Sequence, residues 1–451
     1  MAQKTAPKTI RTDKWRILPS AEQRQYLLNT VQEYRRLSRF LVTVISTHWV
    51  ELGRLSSDKL VPSVEKLVHA TTQNPTPKYP QIDKAFYKFP SYLRRAAIMF
   101  AFGQVSSYMT RCRDWQSGQS RNRRDAKPPI LNSDAGCYPA LYKGQCFKLH
   151  EFEQVELKVF TGTDWIWIAV PIISKRDRHK VSTNQMKSPS LIVNERHCHL
   201  SVPFECHPAH VKGSGVVVAV DLGINTTATV SVVSRDGTVI HREFIHPGRD
   251  IDRRDRRLKS VSGRAKKTMG SCGKLSKGFC QNTYRKCRNI NQQIGNIVSK
   301  QITTIAQAYS ADAIVFEDLK GWKPKGGKKR SNLKQKFHGW LKSLIVELTE
   351  CKWTELGGKT ITVIAAYTSK LAYDGSGVVK RDPKNYALAT FTSGKKYNCD
   401  LNGSYNIATR GWQKLDSRKD YEKRPSKNSG RLPRSWACLC DLWTGGSLRL
   451  A

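Results

Sequence analysis

The chain has 451 residues, enough for two or three domains with real cores. Its 77 Lys and Arg against 36 Asp and Glu leave a net charge of +41, spread too widely to be one basic tail. Such a surface repels itself unless a polyanion neutralises it, which points to nucleic acid and leaves a basic protein of the ribosome or chromatin as the plainer alternative. No stretch approaches the roughly 20 apolar residues of a membrane span, the opening MAQKTAPKTIRTDKW lacks the apolar core of a signal peptide, and the scattered cysteines suit free thiols in a reducing cytoplasm.

Residues 1–20 hold a short extended piece, KTIRTDKWRI, of alternating character. Ser20 then caps a helix whose Leu27, Leu28, Val31, Tyr34, Leu37, Phe40 and Leu41 share one face. A second helical stretch starts after Pro90 and carries Leu93, Ala97, Phe100, Val105 and Met109, so 21–117 reads as a helical domain. From 118 the texture changes. A basic loop, SGQSRNRRDAKPP, leads into VELKVFTGTDWIWIAVPI and PSLIVNERHCHLSVPFE, which alternate like the strands of a β-hairpin or small barrel over 118–210. In the last of these His197 and His199 share a strand face around Cys198, an arrangement better explained by structure than by metal. A basic β module around a helical insertion suits a grip on nucleic acid, with a plain structural β domain as the alternative.

A third region opens with GVVVAVDLGIN, residues 215–225. The five apolar residues Val216–Val220 read as a central strand covered on both faces, and Asp221 at its end is either a turn residue or a charge aimed at a ligand. TATVSVVSRDGTVIHREFI adds two strands joined at Asp236-Gly237. A basic stretch containing DRRDRRLKS follows, read as a loop, and then a long helix with Ile290, Ile294, Ile297, Val298, Ile302 and Ile305 on one stripe. ADAIVFEDL is another buried strand, ending in Glu317 and Asp318. After the basic KGWKPKGGKKRSNLKQK come the helix FHGWLKSLIVELTECKWTEL, the strand KTITVIAAY and a short helix in YNCDLNGSYNIATRGW entered near Asp400. Residues 413–451 read as a poorly ordered tail, and its Cys438 and Cys440 lack a second pair at zinc spacing.

Three strands, helix, strand, helix, strand, helix is the order of the ribonuclease-H-like fold, a mixed five-stranded sheet with its first and fourth strands parallel neighbours. The chain is thus expected to be a multidomain protein of α/β and α+β class. On that sheet Asp221 and Glu317 end neighbouring strands, and Asp400 starts the helix that packs beside them. Each acid alone is better explained as a turn or a cap; the weight lies in all three falling on the right elements in order. Three converging carboxylates call for a counter-charge. Two Mg²⁺ ions about 4 Å apart, or Mn²⁺ in their place, would supply it, whereas an all-oxygen set argues against zinc.

VDLGIN, IVFEDL and YNCDLNGSYNIATR resemble the three RuvC motifs of the TnpB family, the accessory nucleases of bacterial insertion sequences, over roughly 211–412. The third motif is the most specific. The resemblance implies a RuvC-like, RNase H-like nuclease domain at 211–412. It also implies an N-terminal β-barrel-like wedge domain (1–20 and 118–210) with a helical recognition insertion (21–117). Asp221, Glu317 and Asp400 match the family's catalytic, metal-binding triad position by position. The implied activity is transposon-associated, Mg²⁺-dependent and RNA-guided cutting of double-stranded DNA beside a short flanking motif, with guide RNA and target DNA as partners. A monomer in the prokaryotic cytoplasm, associated with the nucleoid and with no membrane partner, is expected.

The family usually carries a four-cysteine zinc ribbon between its second and third motifs. Here, at about 367–398, Leu371 and Asp374 stand where the first cysteine pair would sit, and only Cys399 follows. No zinc is expected, and AYDGSGVV is expected to form a hairpin held by its own packing. Arg253, Arg254, Arg256 and Arg257 in the first basic stretch, and Lys328, Lys329 and Arg330 in the second, are candidates for phosphate contact, with Trp322 for stacking on a base. Three rivals are a miniature type V CRISPR effector, a guide-directed protein that represses without cutting, and a junction resolvase. All three acids are present, which disfavours the repressor, and a resolvase has no need of the large N-terminal half.

Overall fold

The computed structural model describes residues 9–118, 127–133, 136–151, 153–174, 185–194, 197–269, 273–319, 339–416 and 437–443. They fall into two compact units, one over Lys8–His207 and the other over Pro208–Ala451 with Met1–Pro7. Each is of mixed α and β composition.

In the first unit the strands are β1 (Thr9–Ile17), β2 (Phe147–His150), β3 (Gln154–Phe160), β4 (Trp165–Ser174), β5 (Gln185–Met186), β6 (Ser190–Val193) and β7 (Cys198–Cys206). Among the described residues they form one sheet in the order β2-β3-β4-β1-β7-β5, with β6 also on β7. β1 precedes the helices in sequence yet pairs along its full length with β7, from Thr9↔Cys206 to Ile17↔Cys198, and at its end with β4. Its alternation sends Trp15 and Ile17 into the core. The helix Ala21–Thr47 begins at a reciprocal cap between Ser20 and Gln23, and its Leu27, Val31, Tyr34, Leu37 and Leu41 are buried. It packs on the helix Ser91–Gln116.

The second unit is built on β8 (Val216–Asp221), β9 (Ala228–Ser234), β10 (Val239–Ile245), β11 (Ala313–Asp318) and β12 (Thr360–Ile364), in the order β10-β9-β8-β11-β12. The β8–β9–β10 pairings are antiparallel, and β8–β11 and β11–β12 are parallel. Parallel neighbours need crossover connections, which here include the helices Gln281–Ala308 and Lys342–Glu355. Strand alternation divides the valines of β8 between two cores. Val216, Val218 and Val220 join Ile290, Ile294, Ile302 and Trp353 on one face. Val217 and Ala219 meet Tyr405, Ile407, Ala408 and Trp412 of the helix Cys399–Asp416 on the other.

Two segments differ from the sequence expectation. The basic stretch read as a loop is the helix Gly248–Met269. Ile251, Arg254 and Val261 are spaced to share one side, and Asp250 pairs with Arg253 one turn on. The expected tail also contains structure: the helix from Cys399 runs to Asp416, and Ala437, Cys438 and Leu439 are buried. The apolar residues of ACLCDLW, 437–443, have a surface to cover. Cys440 N–H donates to Tyr373 O at 2.9 Å, and Trp443 Nε1 donates to Gly237 O at 3.1 Å.

Between β12 and the helix Cys399–Asp416 lies a small sheet of β13 (Lys380–Arg381), β14 (Leu388–Thr390) and β15 (Lys396–Asn398), preceded by a turn in which Leu371 bridges to Val378. Ala372, Val379, Ala389, Phe391 and Cys399 form its core, with Tyr373 and Tyr397 packed on it. Among the described residues no helix is long and apolar enough to cross a membrane.

Candidate active site

Val220 pairs with Phe316 across the parallel β8–β11 ladder, so the next residues, Asp221 and Glu317, are neighbours at the ends of the two strands. Asp221 shares its sheet face with Val217 and Ala219, and Glu317 shares its own with Ala313 and Val315, by the two-residue strand period. This is the face covered by the helix Cys399–Asp416, which carries Asp400 in its first turn. The start of that helix is set by Asn398, whose Oδ1 accepts from the N–H groups of Asp400 (2.9 Å) and Leu401 (3.0 Å).

Burial pushes the Asp221 carboxyl well above the ordinary aspartate range, and the charges of Glu317 and then Asp400 push it further. Glu317 and Asp400 are also raised by burial, and both are pulled back by the Arg381 guanidinium. Thr368 donates its hydroxyl to Glu317, and Thr226 donates to Asp400. Three partly buried acids that repel one another, with Arg381 nearby, form an all-oxygen set of the kind a hard divalent cation takes. Among the described residues no group of three or more His, Cys, Asp or Glu side chains is placed to hold a metal ion. Cys438 and Cys440 are the thiols beside Asp374. Burial raises them to about 12 and about 11.

The helix Cys399–Asp416 contributes more than Asp400. Asn402, Asn406 and Arg410, four residues apart, line one side and bond the chain that follows β12. Asn402 Nδ2 donates to Leu371 O at 2.7 Å and its Oδ1 accepts from Tyr373 N–H at 2.8 Å. Asn406 Nδ2 donates to Thr368 O at 2.9 Å and Leu371 O at 2.8 Å. Arg410 Nη1 donates to Ile364 O (2.7 Å) and Ala366 O (2.8 Å). Asn406 thereby holds Thr368, which holds Glu317. In the sequence the signal for these residues is polar side chains at helical spacing inside an otherwise apolar motif.

Of the basic candidates, Arg254 is corrected. It is only 5 % exposed and donates to Asp255 (2.8 Å), Gly339 O (2.8 Å) and Asn291 (3.3 Å), so it ties the basic helix to its neighbours. A helix turns 100° per residue, so four arginines at 253, 254, 256 and 257 cannot all face one ligand. Arg253 and Arg256 face solvent, with Arg253 3.0 Å from Asp250. Trp322, Lys328, Lys329 and Arg330 lie outside the described residues.

A family model described as the Aq_aa04 family matches residues 11–161. No curated protein matches the chain. Among solved structures, the chain is similar to a Cas12f1 in complex with single-guide RNA and target DNA, with TM-score 0.52 and 12% identity over 85% of this chain and 81% of that one. It also matches the mini-RNA-guided endonuclease CRISPR-Cas_phi3 (TM-score 0.47, 11% identity, 90% and 93% coverage). A third match is the C2c1 of Alicyclobacillus acidoterrestris with single-guide RNA (TM-score 0.44, 11% identity, 86% and 69% coverage). The match to the Cas12f1 structure shows a shared mixed α/β multidomain fold.

Proposed function

We propose that the protein is an RNA-guided DNA endonuclease of the TnpB type, with a RuvC-like, RNase H-like nuclease domain in its second unit. The observation that carries this is the meeting of Asp221 and Glu317 at the ends of parallel β8 and β11, on the face where the helix bearing Asp400 packs. A fold shared with a Cas12f1 that is described with guide RNA and target DNA supports the guided reading, and the +41 charge supplies the electrostatics for two polyanions.

Asp221, Glu317 and Asp400 would hold Mg²⁺, which when bound activates a water and steadies the leaving oxygen of a phosphodiester. The chain's own work is orientation. Thr368 and Thr226 fix two of the carboxylates, Asn398 sets the helix start under Asp400, and Arg381 lends positive charge to all three. The β1–β7 module and its helices would grip RNA and the flanking duplex, and the ribbon beside the acids would stand without zinc.

Purification from cells carrying the native locus, with sequencing of bound RNA, tests the guided reading: absence of an RNA with an end complementary to a target would sink it. Asp221→Ala should take Mg²⁺-dependent cutting to background with RNA binding retained. A CRISPR RNA in place of an element-encoded guide is the second reading, favoured by the Cas12f1 likeness, and the same RNA sequencing separates the two.

A further inference from the structure

The loop leaving β8 has two sides. On one, Thr226 donates to Asp400. On the other, Gly223, Asn225 and Thr227 border a cavity of about 210 Å³ that is closed by the basic helix and by Trp340 and Leu341. One strand-end loop therefore separates this cavity from the candidate catalytic carboxylates.

Its chemistry is half apolar and half polar. Ile294 at its base is fully buried, and Ile251 and Leu341 are partly so, whereas Asp252 and His246 are exposed at the rim. Arg254 borders it too, but its guanidinium is matched by Asp255 and bonded to Gly339 O and Asn291. His246 Nδ1 is engaged with Thr227 Oγ1 at 3.2 Å. Among the described residues that line the cavity the one cation, Arg254, is thus matched, and Asp252 adds a negative charge; Lys342 Nζ lies 5.1 Å from the centre of the Trp340 ring. The Asp252 carboxylate disfavours a phosphate beside it. A flat neutral ring with hydrogen-bond donors on its edge is accommodated, with its faces on apolar and aromatic side chains and its edge toward a carboxylate.

Resting on the nuclease reading above, we propose that this cavity seats one nucleobase of the strand delivered to Asp221, Glu317 and Asp400. Its ring would lie against Trp340 and its exocyclic amine would donate to Asp252. Adenine, cytosine and guanine carry such an amine and thymine does not. Seating a base one loop away from the carboxylates fixes which phosphate reaches them, and misplacement of reacting groups by about 1 Å costs on the order of a hundredfold in rate.

The test uses the full protein with its co-purified RNA and single-stranded DNA substrates carrying one abasic site at successive positions. One position within a few nucleotides of the cut should slow cleavage at least tenfold. Thymine there should be slower than the three amine-bearing bases. Asp252→Asn, an exposed change that keeps the fold, should erase that ranking, and Trp340→Ala should make the abasic and intact substrates equal. A flat abasic scan in a protein that cuts overturns the pocket and leaves the nuclease reading standing. Binding is read separately in Asp221→Ala protein with 2-aminopurine at the same position. Quenched emission supports a stacked base even if no substrate is cut, in which case the nuclease reading fails alone; unquenched emission overturns the pocket.

Discussion

Gly403 lies so close to Asp221 that a β-carbon added there would come within 2.7 Å of Asp221 Oδ2. The same helix approaches β11 through Gly411, where an added β-carbon would meet Val315 Cγ2 at 2.6 Å. Two missing side chains, eight residues apart and so on one helix face, let the helix lie directly on the strands that end in the two acids.

Gly403→Ala sets two effects against each other. Alanine favours a helix interior by about 1 kcal/mol over glycine, yet here its methyl pushes on the carboxylate. The expected outcome is a stability close to wild type by thermal unfolding with cleavage lowered about 10–100-fold. Gly411→Ala differs because its methyl meets a buried valine, and overpacking costs about 1–3 kcal/mol. Equal cleavage rates for Gly403→Ala and wild type would show that the Asp221 position is not set by this contact.

Thr368 orients Glu317 through its hydroxyl, so the methyl-for-hydroxyl change Thr368→Val should lower Mg²⁺ affinity or cleavage about 10–100-fold. Thr368→Ser keeps the donor and should restore most of it. Mg²⁺ titrations of cleavage read the difference, and identical half-saturation in both variants contradicts the relay.

Asp221 has a folded-state pKa raised above its ordinary 3.8, so the metal-free folded protein binds more protons than the unfolded chain from about that pH upward. Its contribution therefore favours the fold at low pH and is lost as pH rises through the raised value. Asp221→Asn removes the charge. Without divalent ions it should unfold at a higher temperature than wild type at neutral pH, with a weaker fall in stability between acid and neutral pH. Added Mg²⁺ should stabilise wild type far more than the variant. A variant less stable than wild type at neutral pH without metal would contradict the burial of a repelled carboxylate.

The ribbon between β12 and the helix Cys399–Asp416 is held by rings. Tyr373 contacts Phe391, Tyr397, Tyr405 and Trp443 at centroid distances of 5.2–6.3 Å, and each such pair adds about 0.5–1.5 kcal/mol beyond burial. A zinc chelator should leave the melting temperature unchanged. Trp443→Ala should make residues 371–398 more open to limited proteolysis. A chelator-induced drop in stability would instead assign a metal to the ribbon.

Periodicity carried the secondary structure well where burial is periodic. The valine run of β8 and the isoleucine stripe of the helix Gln281–Ala308 both follow from apolar spacing alone. The basic helix Gly248–Met269 was illegible because its inward positions include Arg254, a residue that composition assigns to solvent. The segment Ala437–Trp443 reads as tail because its polar surroundings outweigh its seven residues, and the surface that receives them comes from Gly237 and Tyr373, far away in the chain.

By itself the sequence determined the periodic apolar core of the main strands and helices, the order in which most of them come, and that three acids stand at element ends, because these depend on local pattern. Only the tertiary structure decided that Thr368, Asn406, Arg381 and Gly403 serve those acids, that Arg254 serves the core, and that a cavity lies one loop away. Hydrogen bonds, charge pairing and close approach depend on distances in space between residues dozens of positions apart, and no local pattern encodes those distances.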